Sequence, residues 1–276
     1  MRLGVKKTLG KITQPINAYS RFPEYYWFDS AISNFLSLAP GQKLKILDVG
    51  SPKMLGLYLA QKKQIEIMLT DISETNVDEY EVMWKALAGK ARGNASFSLQ
   101  DARSLQYPDS EFDIVYSMSV IEHIEGADGD VRAIREMLRV LKPGGLLALS
   151  VPYGARYIEQ QRIGLSGAAR KTGDQVSYFF QRIYDPAAIQ QRILQPTAGF
   201  RDMALTTVSR SNQWLGSAFG LLSENVRGAL GFVNPFLSLA VNRSCKGMND
   251  FSRVVYGEIH SARDVYGDLI LTGRKP

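Results

Sequence analysis

The fold of this chain is decided by the stretch Lys43-Leu-Lys-Ile-Leu-Asp-Val-Gly-Ser-Pro-Lys-Met54. Its apolar residues form an almost continuous run, which is typical of a strand buried on both faces of a parallel sheet. The run ends at Asp48 and Gly50, an acceptor side chain and a glycine placed where open α/β sheets bind their ligands. Ser51 and Pro52 suit the cap and first turn of a helix. The stretch therefore predicts a strand, a ligand-binding turn and a helix.

Similar strands follow along the chain and are separated by helical patterns. Segments that predict strands lie at 65–71, 96–100, 112–117, 146–152, 203–208 and 266–273. Strands that alternate with helices specify a doubly wound parallel sheet with right-handed crossovers. The sequence therefore predicts an α/β fold: a Rossmann-like, mostly parallel seven-stranded sheet with helices on both faces.

Composition limits the class of protein. The chain has 276 residues, 45% of them hydrophobic, which suffices for one large α/β domain with insertions. Its single cysteine, Cys245, excludes an intramolecular disulfide and fits a reducing compartment. The formal net charge of +6 favours acidic partners, although a solvated basic surface is a more common explanation than any one such partner. Basic residues are scattered without an aromatic-basic recognition module, so we do not expect nucleic acid as a partner.

The first 16 residues carry apolar side chains at helical spacing between lysines, at Val5, Leu9, Ile12 and Ile16. This pattern predicts a basic amphipathic helix that lies on the domain itself or on the inner face of a membrane. The stretch lacks the continuous apolar core of a secretory signal. We therefore expect a cytoplasmic protein, with peripheral membrane contact as the alternative for this helix.

The pattern loosens after the fifth strand. Residues 153–183 include several arginines and show no clear strand, and such a long irregular connection is usually functional or disordered. Asp185 and Pro186 then predict the cap and first turn of a helix. Residues 212–242 are apolar but interrupted, and fall short of the roughly 18 to 20 apolar residues that span a bilayer. An interfacial segment, the wall of a substrate cavity and ordinary core packing all remain open for them.

Three successive strands each end in a carboxylate, at Asp48, Asp71 and Asp101. The carboxyl ends of parallel strands meet at one edge of the sheet, so these acids should line a single crevice. A carboxylate only accepts hydrogen bonds, and therefore suits an ammonium group, a pair of ribose hydroxyls or an exocyclic amine. One strand-end aspartate alone is more often a cap or turn former, but the threefold recurrence favours a ligand.

Five motifs together carry a resemblance to a known family. They are Ile46-Leu-Asp-Val-Gly50, Thr70-Asp71, Asp101-Ala102, Phe112-Asp-Ile-Val-Tyr-Ser-Met-Ser-Val-Ile-Glu-His123 and Leu138-Arg-Val-Leu-Lys-Pro-Gly-Gly145. Residues 43 to 152 resemble the class I S-adenosylmethionine-dependent methyltransferases, of the type 11 group. The resemblance implies S-adenosyl-L-methionine as cofactor and no metal. It also implies a set of cofactor-binding residues: Asp48 and Gly50 for the methionyl end, Asp71 for the ribose hydroxyls, Asp101 with Ala102 for the adenine, Ser117 and Met118 beside the sulfonium region, and Ser51 and Ile72 as further contacts.

The first loop departs from the family pattern. The family usually has acid-x-Gly-x-Gly-x-Gly, whereas Pro52 and Met54 stand at the second and third glycine positions here. Backbone N–H groups at the start of the following helix would still face the cofactor carboxylate, and Lys53 could add a direct charge. A nicotinamide dehydrogenase would instead need Gly-x-Gly-x-x-Gly after its first strand, which this loop lacks.

The resemblance implies that the chain is a methyltransferase and that it divides into three parts. Residues 1–40 form a helical lead-in, 41–152 the cofactor-binding core, and 153–276 the rest of the sheet, with insertions at 153–184 and 212–262 around an acceptor site. A hydroxyl acceptor needs a base, and His123 is either that base or a residue that bonds to backbone in a helical turn.

The sequence specifies the methyl acceptor less closely than it specifies the cofactor. The basic and apolar segments suit a glycan or a lipid-linked, acidic saccharide as the methyl acceptor. A small lipid or secondary metabolite, and a non-catalytic protein that binds the cofactor or serves as a scaffold, are the alternatives.

Overall fold

The computed structural model describes residues 22–87, 94–164, 176–209 and 267–276. The predicted N-terminal amphipathic helix, the apolar segment 212–242 and Cys245 lie outside the described residues. Within the described ranges, no helix is long and apolar enough to cross a membrane.

The described chain forms a large sheet and a separate hairpin. The strands are β1 (Leu44–Val49), β2 (Ile65–Asp71), β3 (Ala95–Leu99), β4 (Phe112–Met118), β5 (Leu141–Tyr153), β6 (Ile158–Gly164), β7 (Val176–Ile183), β8 (Arg201–Ser209) and β9 (Gly267–Arg274). The large sheet has seven strands in the order β3-β2-β1-β4-β5-β9-β8. Strands β1 to β5 pair in parallel, whereas β9 is antiparallel to both β5 and β8. The prediction of a mostly parallel seven-stranded sheet is confirmed.

Helices cover both faces of this sheet. They are α1 (Phe22–Ser37), α2 (Met54–Leu59), α3 (Glu74–Leu87), α4 (Gly129–Val140) and α5 (Pro186–Ile189), with a 3-10 turn at Ile121–His123 and a π-helical turn at Gln190–Leu194. Side chains of β1 alternate between two buried clusters: Ile46 packs with Phe28 of α1, and Leu47 packs with Met137 of α4. Each fully buried side chain of this kind contributes about 1.5–3 kcal/mol. Strand β1 is therefore the centre of the core.

The connection 153–183 was predicted without a strand, and that prediction is wrong. Strands β6 and β7 pair as an antiparallel hairpin from Ile158 with Ile183 to Gly164 with Val176. Most side chains of β6 are exposed, so it lacks the buried apolar run by which the other strands were recognised. Val176–Ile183 is rich in β-branched and aromatic residues, which is the signal that could have indicated the second strand.

The start of the helix after β1 also differs from the prediction. Ser51 and Pro52 do not form its cap and first turn, because α2 begins at Met54 and Lys53 is its N-cap residue, without a side-chain cap bond. The Ser51 hydroxyl is used elsewhere, since it accepts a hydrogen bond from the backbone N–H of Met118 at 2.9 Å. The same kind of prediction is confirmed at α5, where Asp185 accepts from the N–H of Ala188 and Pro186 occupies the first turn.

Candidate functional site

The three predicted acids lie on neighbouring strands at the carboxyl edge of the sheet. Asp48 precedes the end of β1, Asp71 ends β2, and Asp101 lies two residues beyond β3. Val49 pairs with Thr70 and Asp71 pairs with Leu99, so the three strand ends are aligned side by side. The sheet thus places the acids along one edge, as the sequence predicted.

Asp48 is fully buried and is bound by the protein itself. Its carboxylate accepts from the Ser51 N–H at 2.9 Å, the Tyr116 hydroxyl at 3.0 Å and the Lys53 ammonium at 3.5 Å. Burial raises the pKa of Asp48, and Lys53, Ser51 and Tyr116 oppose that rise. Burial and the neighbouring Asp48 charge raise the pKa of Tyr116 well above its ordinary value. Asp48 therefore stabilises the turn after β1 through hydrogen bonds made inside the domain.

Lys53 points into the protein, although we considered it as a charge for the cofactor carboxylate. Its side chain is 1% exposed, and its ammonium donates to the Thr70 carbonyl at 2.6 Å as well as to Asp48. The Thr70 hydroxyl in turn donates to the Asp48 carbonyl at 2.7 Å. Lys53 thus ties the ends of β1 and β2 together beneath the altered loop.

Gly50 forms the turn itself and brings it against the end of β4. Its φ of 71° is a left-handed conformation, and a Cβ placed there would lie 2.8 Å from Cγ1 of Val120. Only glycine fits both the conformation and the space. The Ser117 hydroxyl donates to the Val49 carbonyl at 2.9 Å, and Ser51 accepts from Met118, so both predicted sulfonium-side residues contact this turn.

Asp71 offers acceptor oxygens at the next position along the edge. One oxygen accepts from the Ser73 N–H at 2.9 Å and the other from the Asn76 amide at 3.2 Å. A carboxylate has about four acceptor positions, so these bonds orient Asp71 and leave capacity for a pair of hydroxyls. Ile72, which follows it, is 69% exposed and presents an apolar surface at the same edge.

Asp101 is held by a neighbouring arginine. The Arg103 guanidinium donates to both carboxylate oxygens, at 2.7 Å to one and 3.0 Å to the other, and the Arg103 N–H donates as well. These hydrogen bonds lower the pKa of Asp101 and keep it ionised at neutral pH. Ala102 packs against the core beside it. Asp101 is therefore a fixed acceptor of the kind predicted for an exocyclic amine.

His123 lies where the 3-10 turn after β4 meets the hairpin. Its Nδ1 is 2.6 Å from the Phe180 carbonyl, and its ring contacts the Phe180 ring edge-on. Because a carbonyl only accepts, Nδ1 carries the proton and Nε2 is the basic nitrogen of the neutral ring. The Glu122 carboxylate is 3.7 Å from Nε2, and the side chain of His123 is 37% exposed. Both predicted roles are thus compatible, since one nitrogen bonds to backbone and the other stays basic.

A buried polar cluster fixes the loop that carries His123. Arg182 of β7 donates to the carbonyls of Ile124 and Gly126. Arg192 and the Tyr184 hydroxyl both bind Asp130, at 2.6 Å and 2.8 Å. These contacts join the hairpin to the start of α4. Sequence reasoning missed this cluster, because its members are far apart in the chain.

Glu24 of α1 is a further residue at this edge that sequence reasoning missed. Its carboxylate is buried and accepts from the hydroxyls of Ser119 and Ser150, which follow β4 and lie in β5. The only signal in the sequence was one acid within the aromatic lead-in Tyr-Ser-Arg-Phe-Pro-Glu-Tyr-Tyr-Trp-Phe.

Residues 47–149 match the family model described as a methyltransferase domain. These residues identify a class I S-adenosylmethionine-dependent methyltransferase domain within the chain. It is 26% identical over 187 residues to a sterol 24-C-methyltransferase of Gibberella zeae, covering 62% of this chain and 46% of that protein. It is 31% identical over 116 residues to phosphoethanolamine N-methyltransferase 1 of Arabidopsis thaliana, covering 42% of this chain and 22% of that protein. The chain thus spans less than half the length of these two relatives.

A solved structure shows the same architecture. The crystal structure of the [4+2]-cyclase SpnF superposes with a TM-score of 0.55 at 25% identity, covering 90% of this chain and 81% of that one. The cofactor of the family is S-adenosyl-L-methionine. The residues present fit it, because Asp71 and Asp101 offer oriented acceptor oxygens along one edge of the sheet.

Proposed function

We propose that this methyltransferase transfers the methyl group of S-adenosylmethionine to an oxygen of a glycan or a lipid-linked saccharide. The observation that carries the methyl-transfer part is the aligned edge formed by the Gly50 turn, Asp71 and Asp101. These residues match the resemblance position by position. The altered loop is compatible with this role, because Lys53 and Asp48 brace it from inside the domain.

The protein has a modest chemical task in such a reaction. When bound, the cofactor supplies a methyl group already activated by its sulfonium. The chain must position a nucleophile in line with that methyl group and keep water away. A hydroxyl acceptor must also lose its proton, and we assign this step to Nε2 of His123. The Glu122 carboxylate, 3.7 Å away, would attract the resulting imidazolium.

The acceptor is proposed from the hairpin beside His123. Tyr157, Ile158 and Ile163 are large apolar side chains exposed at its surface. Arg162 lies over the Phe180 ring, with the guanidinium carbon 3.1 Å from the ring centre, next to the ring of His123. A surface that combines exposed apolar groups with a positive charge suits a methyl acceptor that has an apolar part and an acidic part. Such an acceptor would also bring the protein into peripheral contact with a membrane.

A small lipid or another small metabolite is the second candidate acceptor. It is favoured by the two relatives above, whose names describe methylation of a sterol and of phosphoethanolamine. The two candidates differ in the atom that receives the methyl group: a sugar oxygen in the first, and a carbon or nitrogen of a small molecule in the second. A non-catalytic cofactor-binding or scaffold role is the remaining alternative.

Calorimetry tests the cofactor assignment. We expect S-adenosylhomocysteine to bind the wild type, and Asp71→Asn to weaken binding by roughly 10- to 100-fold, because a charged acceptor is lost. Asp109→Asn is the matched control, since Asp109 is an exposed carboxylate paired with Arg139 and lies before the start of β4, at the opposite edge of the sheet. No binding by the wild type, or equal binding by both variants, would overturn the proposal.

Transfer of a radiolabelled methyl group tests the acceptor and the base. Lipid-linked saccharides, free glycans, sterols and phosphoethanolamine are each supplied with labelled cofactor, and label in a saccharide fraction is expected. His123→Gln should lower kcat by about 100- to 10,000-fold with cofactor affinity unchanged. Unchanged turnover in this variant would show that His123 is not the base, and label in sterol or phosphoethanolamine alone would favour the second candidate.

A further inference from the structure

A basic cavity lies at the edge of the large sheet opposite the three acids. Strand β5 begins at this edge, and β9, which is antiparallel to it, ends there at Arg274. The cavity has a volume of about 250 Å³ and is lined by Gly144, Arg201, Asp202, Arg274, Lys275 and Pro276. Three of these residues have a basic side chain and one has an acidic side chain, so the lining favours an anion.

The register of the last two strands brings two arginines together in this cavity. Arg201 of β8 pairs directly with Arg274 of β9. Residues directly opposite in an antiparallel pair have Cβ atoms about 4.5–5.5 Å apart, and like charges in that arrangement repel each other. An anion between the two guanidinium groups replaces this repulsion by attraction, because each group can donate two parallel N–H bonds to a phosphate.

Both guanidinium groups keep donors for a ligand. Arg274 donates from Nε to the Gly144 carbonyl at 3.3 Å, and its guanidinium carbon lies 5.8 Å from the centre of the Phe35 ring. Its Nη1 is 3.8 Å from the Asp202 carboxylate, which is too long for a hydrogen bond. Among the residues that the structure describes, the Arg201 guanidinium makes no hydrogen bond or ion pair. Arg274 is therefore oriented by the protein, and Arg201 is available beside it.

The other two charged residues of the lining have different roles. The Lys275 ammonium donates to the carbonyls of Leu138 and Leu141 at 2.8 Å and 2.7 Å, where α4 ends and β5 begins. Lys275 thus stabilises one side of the cavity instead of binding the anion. The Asp202 carboxylate opposes an anion, but its side chain is 75% exposed, so solvent and salt screen its charge.

We propose that this cavity binds the phosphate group of a small molecule through Arg201 and Arg274. A volume of about 250 Å³ is smaller than the sites of drug-sized ligands and suits pyrophosphate or a phosphate monoester. The cavity lies at the opposite edge from Asp71 and Asp101, so the proposal does not depend on the proposed function. The phosphate belongs to a soluble metabolite or to a lipid headgroup, and the experiment separates these two sources.

Calorimetry with inorganic pyrophosphate at low ionic strength tests the site in the full chain. We expect the wild type to bind, and Arg201→Gln or Arg274→Gln to weaken binding by about tenfold each, because a charge-assisted bidentate contact is lost. Lys43→Gln is the matched control. It removes one positive charge at the same edge, before the start of β1, from an exposed pair with Glu66, and should leave the affinity unchanged.

A variant that gains affinity provides a second test. Asp202 has a left-handed φ of 52°, a conformation that asparagine also adopts readily, so Asp202→Asn keeps the backbone and removes the opposing charge. We expect it to strengthen pyrophosphate binding by about two- to fivefold, which a purely structural role of the arginines does not predict. S-adenosylhomocysteine binding should be the same in all these variants, because the cofactor acids lie at the other edge.

Sedimentation with vesicles that contain phosphatidic acid identifies the source of the phosphate. Retention of the wild type that Arg201→Gln abolishes would support the site with a lipid headgroup as its ligand, and binding of pyrophosphate alone would support a soluble one. A wild type that binds neither probe would overturn the proposal. Equal weakening by Lys43→Gln and Arg201→Gln would also overturn it, since the anion would then respond only to the overall charge.

Discussion

Replacing Lys53 by methionine tests how the altered loop is held. The change keeps most of the side-chain volume but removes an ammonium that is 1% exposed and lies 3.5 Å from Asp48 and 2.6 Å from the Thr70 carbonyl. Breaking a buried pair by removing one partner costs about 3–5 kcal/mol, because the other charge stays buried. Asp48 keeps its bonds to Ser51 and Tyr116, so we expect a loss near the lower end, about 3 kcal/mol at pH 8.

The loss should depend on pH with a definite sign. Burial already raises the pKa of Asp48, and Lys53 is the largest influence that opposes the rise. Without Lys53 the pKa of Asp48 rises further, so the folded variant binds a proton that the unfolded chain releases. Its stability then falls as pH rises, by up to about 1.4 kcal/mol per unit. The difference from wild type should therefore be smaller at pH 5 than at pH 8.

Urea unfolding measures the free energy of unfolding, with tryptophan fluorescence as the signal, since Trp84 is 2% exposed in the core. Lys43→Met is the matched control: its partner Glu66 is exposed, and its loss should be within about 1 kcal/mol. The double variant Lys53→Met/Asp48→Asn should recover part of the loss, because no charge is left buried. A loss below about 1 kcal/mol at pH 8, or the same loss at both pH values, would refute this reasoning.

Two further predictions concern packing and acid stability. Gly56→Ala should destabilise the fold by about 1–3 kcal/mol in the same urea assay, because its Cβ would lie 2.2 Å from the Leu69 side chain; an unchanged unfolding midpoint would contradict this. Burial raises the pKa of Asp130, but its bonds to Arg192 and Tyr184 outweigh that and lower it below 3.8. Its contribution is thus complete above about pH 4 and is lost as pH falls through the lowered pKa. Thermal scans should therefore show Asp130→Asn less stable than wild type at pH 7, with the difference shrinking toward pH 3, and a constant difference would argue against the assignment.

Much of the large sheet could be predicted because its signals are local. Strands buried on both faces need continuous apolar runs, and the runs of β1, β2, β4 and β5 were recognisable for that reason. The alignment of Asp48, Asp71 and Asp101 also follows from local information, since parallel strand ends must share an edge. The cap at Asp185 with Pro186 involves only residues that are adjacent in the chain, and it was found as well.

The remaining features depend on contacts between distant segments. The Ser51 hydroxyl was predicted to cap a helix. Instead, it accepts a hydrogen bond from the backbone N–H of Met118, which is 67 residues away in the sequence. The hairpin was missed because most side chains of β6 are exposed. Its sequence therefore lacks the apolar run that marks a buried strand.

The sequence by itself determined the fold class, the family and the edge at which the cofactor acids meet. Only the tertiary structure decided what each side chain at that edge does. In the folded protein the Lys53 ammonium points inward and donates to the Thr70 carbonyl, and the Tyr116 hydroxyl donates to Asp48. Glu24 lies beside the end of β4, where it accepts from the Ser119 hydroxyl. The physical reason is that burial and hydrogen bonding are set by residues far apart in the chain, such as Glu24 and Ser150 at 126 positions, which no local pattern records.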